Sequence, residues 1–257
     1  MDILRKELTD FYASQQLGNE RLNSAIVTQY KSKVEALSSI NNACYVITDA
    51  YADICYIYTG SLFHMLGISN SLSGYSEYDS SDEDIIYNCM HPEDLVEKRM
   101  LEYDYFRYVD RMGAEEKLQY VATCRIRIRN SAGEYIYVRN TTRILNPSPH
   151  GKVWLILCSY EQTSEQEPSI DISPAIINNH TGEVQRLHLI HRRDKILSTR
   201  EKEILNLVRD GKSSKQIADI LSISINTVNR HRQNVLEKLS VGNSHEAITA
   251  AIAMKLL

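Results

Sequence analysis

Asn229, Arg230 and Gln233 stand close together in the run Thr227-Val228-Asn229-Arg230-His231-Arg232-Gln233-Asn234. On a helix of about 100° per residue, Val228, Val235 and Leu239 stack on one side, with Leu236 at its margin, while Asn229, Arg230, Gln233 and Asn234 point away. Side-chain amides can pair bidentately with adenine N6/N7 and a guanidinium with guanine O6/N7, each such pair giving about 1–3 kcal/mol of discrimination. Phosphate positioning is the separate work of cations and helix N-termini, for which Lys215, Thr227, Arg232 and Lys238 are available. Arg232 falls partly on the apolar side, so its stem packs while its head reaches outward. The bland alternative is a polar helix face that is merely solvated.

The elements that must hold these groups are legible from their caps. Ser198-Thr199-Arg200-Glu201 is a capping box, and Gly211 can take the left-handed conformation that stops the first helix. Ser213-x-x-Gln216 repeats the device, Ser224 can cap the helix carrying Arg230, and Asn243-x-x-Glu246 can start a fourth. Two amphipathic helices joined by Ser222-Ile223-Ser224 make a helix-turn-helix, whose second helix can lie in a DNA major groove.

Leu197-Ser198-x-Arg200-Glu201-x-Glu203-Ile204-Leu205, Gly211, Ile217-Ala218, Leu221, Ser224, Thr227-Val228, His231, Lys238-Leu239 and Glu246-Ala247 together resemble the LuxR-type helix-turn-helix family over its full length. The resemblance implies a transcription regulator that binds double-stranded DNA, with RNA polymerase a further candidate partner. It puts the groove-facing positions on Asn229, Arg230 and Gln233. Two departures stand out: Asn229 replaces the lysine common after the Thr-Val pair, and Ser244 replaces a frequent arginine. The last helix carries Ala247, Ile248 and Ala251, where the family's dimer contact would fall. A homodimer would set two recognition helices on half-sites about 10 base pairs apart.

Composition divides the chain. All 16 tyrosines lie at or before Tyr160, as do Trp154 and the three phenylalanines, so the C-terminal part must pack on aliphatic side chains. From His191 onward there are 12 basic and 7 acidic residues, against 17 and 26 before it, so a basic tail follows an acidic front. The cysteines Cys44, Cys55, Cys89, Cys124 and Cys158 are scattered and odd in number, which supports neither a disulfide framework nor a zinc site. No signal segment opens the chain and no apolar stretch approaches a membrane span, so a cytoplasmic protein is expected.

The expected fold class is α+β: an N-terminal antiparallel five-stranded sheet with helices, then a small all-α domain of four helices. Residues 1–37 have apolar residues at helical spacing. Ala43–Thr48 and Ile54–Thr59 form paired strands; Ser61–Leu66 is a helical turn and Ser69–Asp84 a loop or weak helix. Pro92 opens a helix to about Met112. Gln119–Arg129 alternates, with Cys124, Ile126 and Ile128 on one face and Arg125, Arg127 and Arg129 on the other. A return strand at Glu134–Leu145 and a buried one at Val153–Cys158 follow.

Two strands, a helical insert and three strands in about 120 residues resemble a PAS domain, its most family-like words being His91-Pro92-Glu93-Asp94-Leu95, Cys124-Arg125-Ile126-Arg127 and Gly133-Glu134-Tyr135-Ile136-Tyr137-Val138. The division expected is residues 1–37 helical, 38–162 PAS-like, 163–195 a linker with a hairpin around Asn178–Glu183, and 196–257 the DNA reader. PAS-like pockets can hold haem, flavin, a metabolite or nothing; the small-molecule ligand is not identified, and no cofactor is expected. His64, His91 and His180 are poor haem ligands, His91 being better placed as a helix-entry residue. Glu93 and Asp94 suit the first turn of a helix. No nucleophile, carboxylate pair, phosphate loop or metal cluster supports an enzyme. Two other readings stay open: a binding module whose helical tail mainly dimerises, and a haem or flavin sensor.

Overall fold

The computed structural model describes residues 3–41, 43–60, 74–169, 171–189, 196–239, 241–254 and 256–257. The expected helical turn at Ser61–Leu66 and His64 lie outside the described residues, as do the end of the expected linker and the start of the Ser69–Asp84 segment. The chain divides into two compact units: Asp10–Leu187, and Met1–Thr9 together with His188–Leu257.

The first unit is built on a mixed-length antiparallel sheet. Its helices and strands are the end of α1 (Ile3–Ser14), a 3-10 turn at Leu17–Asn19, α2 (Ser24–Ile40), β1 (Ala43–Asp49), β2 (Ile54–Tyr58), β3 (Tyr75–Tyr78), α3 (Asp84–Tyr87), α4 (Pro92–Val109), α5 (Ala114–Lys117), β4 (Tyr120–Arg129), β5 (Tyr135–Pro147), β6 (Val153–Gln162), β7 (Ala175–Asn178) and β8 (Val184–Arg186). The strand order is β3-β2-β1-β6-β5-β4-β7-β8. The sheet therefore has eight strands rather than the five expected. Tyr75–Tyr78 extends it beyond β2 within what reads as a loop, and the hairpin of β7 and β8 extends it beyond β4. These three strands are three or four residues long, too short for alternation to register.

The period of two puts different side chains on the two faces. Tyr45, Ile47, Tyr56, Tyr58 and Leu155 form one core with Trp154, closed by Ile26, Val27, Tyr30 and Val34 of α2. The Trp154 indole is buried and donates to Asp49 Oδ1 at 3.1 Å. On the opposite face, Cys124, Asn140, Thr142, Cys158 and Tyr160 are buried beneath α3 and α4, and the Tyr105 hydroxyl of α4 accepts from the Ile144 amide at 3.1 Å. In β4, Cys124, Ile126 and Ile128 are buried while Arg125 and Arg127 are half-buried and Arg129 exposed, as the alternation requires. Gly60 has φ of 46°, and a Cβ there would collide with the Ala43 carbonyl, so only glycine fits where the chain leaves β2 beside the start of β1.

In the second unit, α6 (Thr199–Arg209), α7 (Ser214–Leu221), α8 (Ile225–Leu239) and α9 (Ser244–Ala253) form a small bundle. Ile204, Ile217, Ala218 and Val228 are its centre, with Leu207, Val208, Leu221 and Ile223 packed around them. Among the described residues, no helix is long and apolar enough to cross a membrane.

Candidate nucleic-acid interface

Each helix of the bundle starts on a side-chain cap. Ser198 Oγ accepts from the Glu201 amide at 3.3 Å while Glu201 Oε2 accepts from the Ser198 amide at 2.8 Å. Ser213 and Gln216 make the same reciprocal pair, at 3.3 and 2.9 Å. Ser222 ends α7 in the left-handed conformation, φ 51°, without glycine. Ser224 Oγ then accepts from the Thr227 amide at 3.0 Å, capping α8, and Asn243 Oδ1 accepts from the Glu246 amide at 3.0 Å, capping α9. Gly211, φ 77°, follows α6. Arg200 joins the first two helices by donating to the Leu221 carbonyl at 2.9 Å, a tertiary contact that spacing alone does not reveal.

The helix carrying the candidate base readers has two dissimilar sides. Val228, Val235 and Leu239 are at most 2% exposed, whereas Asn229, Arg230 and Gln233 are exposed together, and Asn234 is half-buried. Gln233 Nε2 donates to Glu237 Oε1 at 3.1 Å, which orients its amide along the helix. Asn226, a further exposed amide at the first turn of α8, lies on the same outward arc one turn ahead of Asn229 and Arg230, and was missed in the sequence because the arc was drawn only from Asn229 onward.

The four cations and hydroxyls expected at phosphates divide into different environments. Lys215 is exposed on the first turn of α7. Thr227 is half-buried, its hydroxyl 2.8 Å from Ser224 Oγ. Arg232 does not simply reach outward: its guanidinium donates to Ser214 Oγ and Ser244 Oγ, both at 2.9 Å, tying α8 to the starts of α7 and α9. Ser244, the position where arginine is frequent in the resembling family, thus supplies an acceptor. Lys238 Nζ lies 2.7 Å from Glu201 Oε2. Burial pushes the Glu201 carboxyl up, but the Lys238 and Ser198 hydrogen bonds outweigh it and hold it below the usual glutamate range.

The expected dimer residues differ in their exposure within the single chain. Ala247 and Ala251 are fully buried within the chain's own fold, because a helix packing this closely needs small residues against its neighbours. Ile248 is half-buried, and Ile252, at 51% exposure, is the apolar side chain that α9 leaves outside.

In the first unit, His91 caps α4, its Nδ1 accepting from the Glu93 amide at 3.4 Å. His91, Glu93 and Asp94 come close enough to consider a metal. The Arg127 guanidinium, however, lies 2.5 Å from Asp94 Oδ1 and 3.0 Å from Glu93 Oε2, so a cation already bridges both carboxylates. His180 is exposed in the turn between β7 and β8.

A cap-delimited helix pair, a short turn and an amide- and guanidinium-bearing second helix define a helix-turn-helix domain. Residues 195–251 match the family described as bacterial regulatory proteins, luxR family. The C-terminal part of the chain is thus a LuxR-type helix-turn-helix domain, homologous to LuxR-family regulators. It is similar to the uncharacterized response regulatory protein YgeK of Escherichia coli strain K12, 46% identical over 61 residues, covering 24% of this chain and 42% of that protein. It is also similar to the transcriptional regulatory protein DesR of Bacillus subtilis, 55% identical over 53 residues, covering 21% of this chain and 27% of that protein. The chain therefore spans less than half the length of these two relatives. Among solved structures, the VqmA dimer of Vibrio cholerae without its target DNA aligns with 88% of this chain and 88% of its own, at 17% identity and a TM-score of 0.30.

Proposed function

We propose that this protein is a sequence-specific DNA-binding transcription regulator, not an enzyme, working in the cytoplasm as a homodimer. One observation carries the reading: Asn229, Arg230 and Gln233 are exposed together on a helix whose opposite side is locked into an aliphatic core. Those three residues contact base edges, and Lys215 with the capped N-terminus of α8 contacts phosphate. Arg232 and Thr227 hold the helix in place first and meet phosphate second, and Lys238 acts mainly through Glu201. RNA polymerase is the partner through which a bound regulator would act on transcription.

The front of the chain is proposed to be a PAS-like sensing or dimerising domain over residues 38–162. In support, β1 and β2, followed by the short β3, precede the helical segments α3 to α5, and the three long strands β4 to β6 follow. The helical lead over residues 1–37 precedes it, the segment 163–195 connects it to the reader, and the reader occupies residues 196–257.

Fluorescence anisotropy with DNA selected from a random pool tests the central claim. Wild-type affinity is expected to fall steeply as salt rises, and Arg230→Ala with Gln233→Ala to abolish the preference for the selected sequence, at about 1–3 kcal/mol per lost base contact. Unchanged selectivity in the double variant would remove these residues from the role.

A further inference from the structure

The core between the sheet and α4 contains ionisable groups that DNA reading does not use. Glu83, Lys98 and Glu102 are 3%, 0% and 5% exposed. Lys98 Nζ lies 2.5 Å from Glu102 Oε1 and donates to the Tyr87 hydroxyl at 3.0 Å. Thr142 Oγ1 donates to Glu102 Oε1 at 3.4 Å. Glu83, just ahead of α3, accepts from the Tyr160 hydroxyl of β6. The cluster therefore sets two carboxyls against one ammonium, and that ammonium is engaged by Glu102. With both carboxyls ionised, one negative charge would lie uncompensated in the interior, a costly arrangement that a single proton removes.

We propose that Glu83 is a proton-binding switch in the front unit: packed beneath the sheet it carries a proton, and losing that proton leaves an uncompensated charge in the interior that loosens the packing of α3 beneath the sheet. The groups facing Glu83 leave it as the one whose charge the fold holds back. Burial pushes up the thiols of Cys44 on β1, Cys55 on β2 and Cys158 on β6. Burial likewise raises the phenols of Tyr12 on α1, Tyr87 on α3 and Tyr160 on β6. Burial pulls Lys98 down, but Glu102 and Glu83 outweigh it and keep the ammonium charged. Asp82 is paired with Arg99 at 3.1 Å. For Glu83 itself, burial raises the carboxyl most; Lys98 and the hydrogen bonds from Cys158 and Tyr160 lower it and Glu102 raises it again, with a net upward displacement.

The sign follows from linkage. An acid whose folded value is raised contributes stability that is complete below the ordinary glutamate range and is lost as pH rises through the folded value. Thermal unfolding of the full chain, followed by Trp154 fluorescence between about pH 5 and about pH 8, measures this. The wild-type midpoint is expected to fall by roughly 3–5 °C per pH unit within the window, and Glu83→Gln to flatten the slope. Infrared spectra of the wild type are expected to contain a protonated-carboxyl band above the ordinary glutamate range that fades as pH rises further. An unchanged slope in Glu83→Gln overturns the switch; should that variant not fold, absence of the wild-type band overturns it. Treating the proton as a signal rests on the sensing role proposed above for the front unit. Anisotropy with the selected DNA in the same samples separates the two failures, since intact selective binding without a pH response rejects the switch alone.

Discussion

Arg232 and Lys215 show why two cations on one helix-turn-helix domain need not do the same thing. Arg232 donates to hydroxyls on two other segments, whereas Lys215 stands exposed. Arg232→Ala is expected to lower the reader's stability by about 2 kcal/mol, since hydrogen bonds from a charged group are stronger than neutral ones; a urea melt followed by circular dichroism measures it. Lys215→Ala is expected to leave that melt unchanged while weakening binding equally across DNA sequences and reducing the salt slope by about 1. Chemistry and helical phase made the outward arc of Asn229, Arg230 and Gln233 legible in the sequence. The fate of Arg232 was not, because its acceptors Ser214 and Ser244 lie on other helices and only the fold brings them together. The same holds for Lys238 and Glu201.

The reader's helices were legible because a cap and its partner sit three residues apart, a spacing the chain carries locally. Ser213→Ala is accordingly expected to cost about 1 kcal/mol, read from the midpoint of the same urea melt. Glu201 combines a cap with a tertiary ion pair, and its carboxyl is held below the usual range. A depressed carboxyl contributes stability that is present above its unfolded value and lost as pH falls through the folded one. Acid titration of the reader's helical signal is expected to have a loss that Glu201→Gln removes. In the front unit, the long strands β4, β5 and β6 declared themselves by alternation or by an unbroken apolar run. The hairpin of β7 and β8 was announced by its turn around Asn178–Glu183, but its pairing with β4, and β3 as a whole, were not, because a three- or four-residue strand is defined by its partner more than by its own residues.

Across the whole molecule, the two units are built from different materials, as the absence of aromatic residues beyond Tyr160 foretold. Assembly is where composition misled: alanines at helical spacing on α9 suit a core as well as an interface, and here Ala247 and Ala251 serve the core. Any contact of α9 with a second copy falls on Ile248 and Ile252. Ile252→Glu is expected to shift sedimentation velocity toward the single chain and to weaken binding to paired half-sites while sparing a lone half-site; an unchanged sedimentation profile would move the dimer contact elsewhere. The terminal hairpin bears on solubility as well as shape. β7 is mostly buried along the flank of β4, while β8 is only three residues long, exposed throughout and ends in Arg186. A stubby, charged final strand offers an incoming chain little to zip onto. Excising residues 175–186 would bare the edge of β4 along Tyr120–Thr123, and turbidity on warming should then appear well before the reader melts.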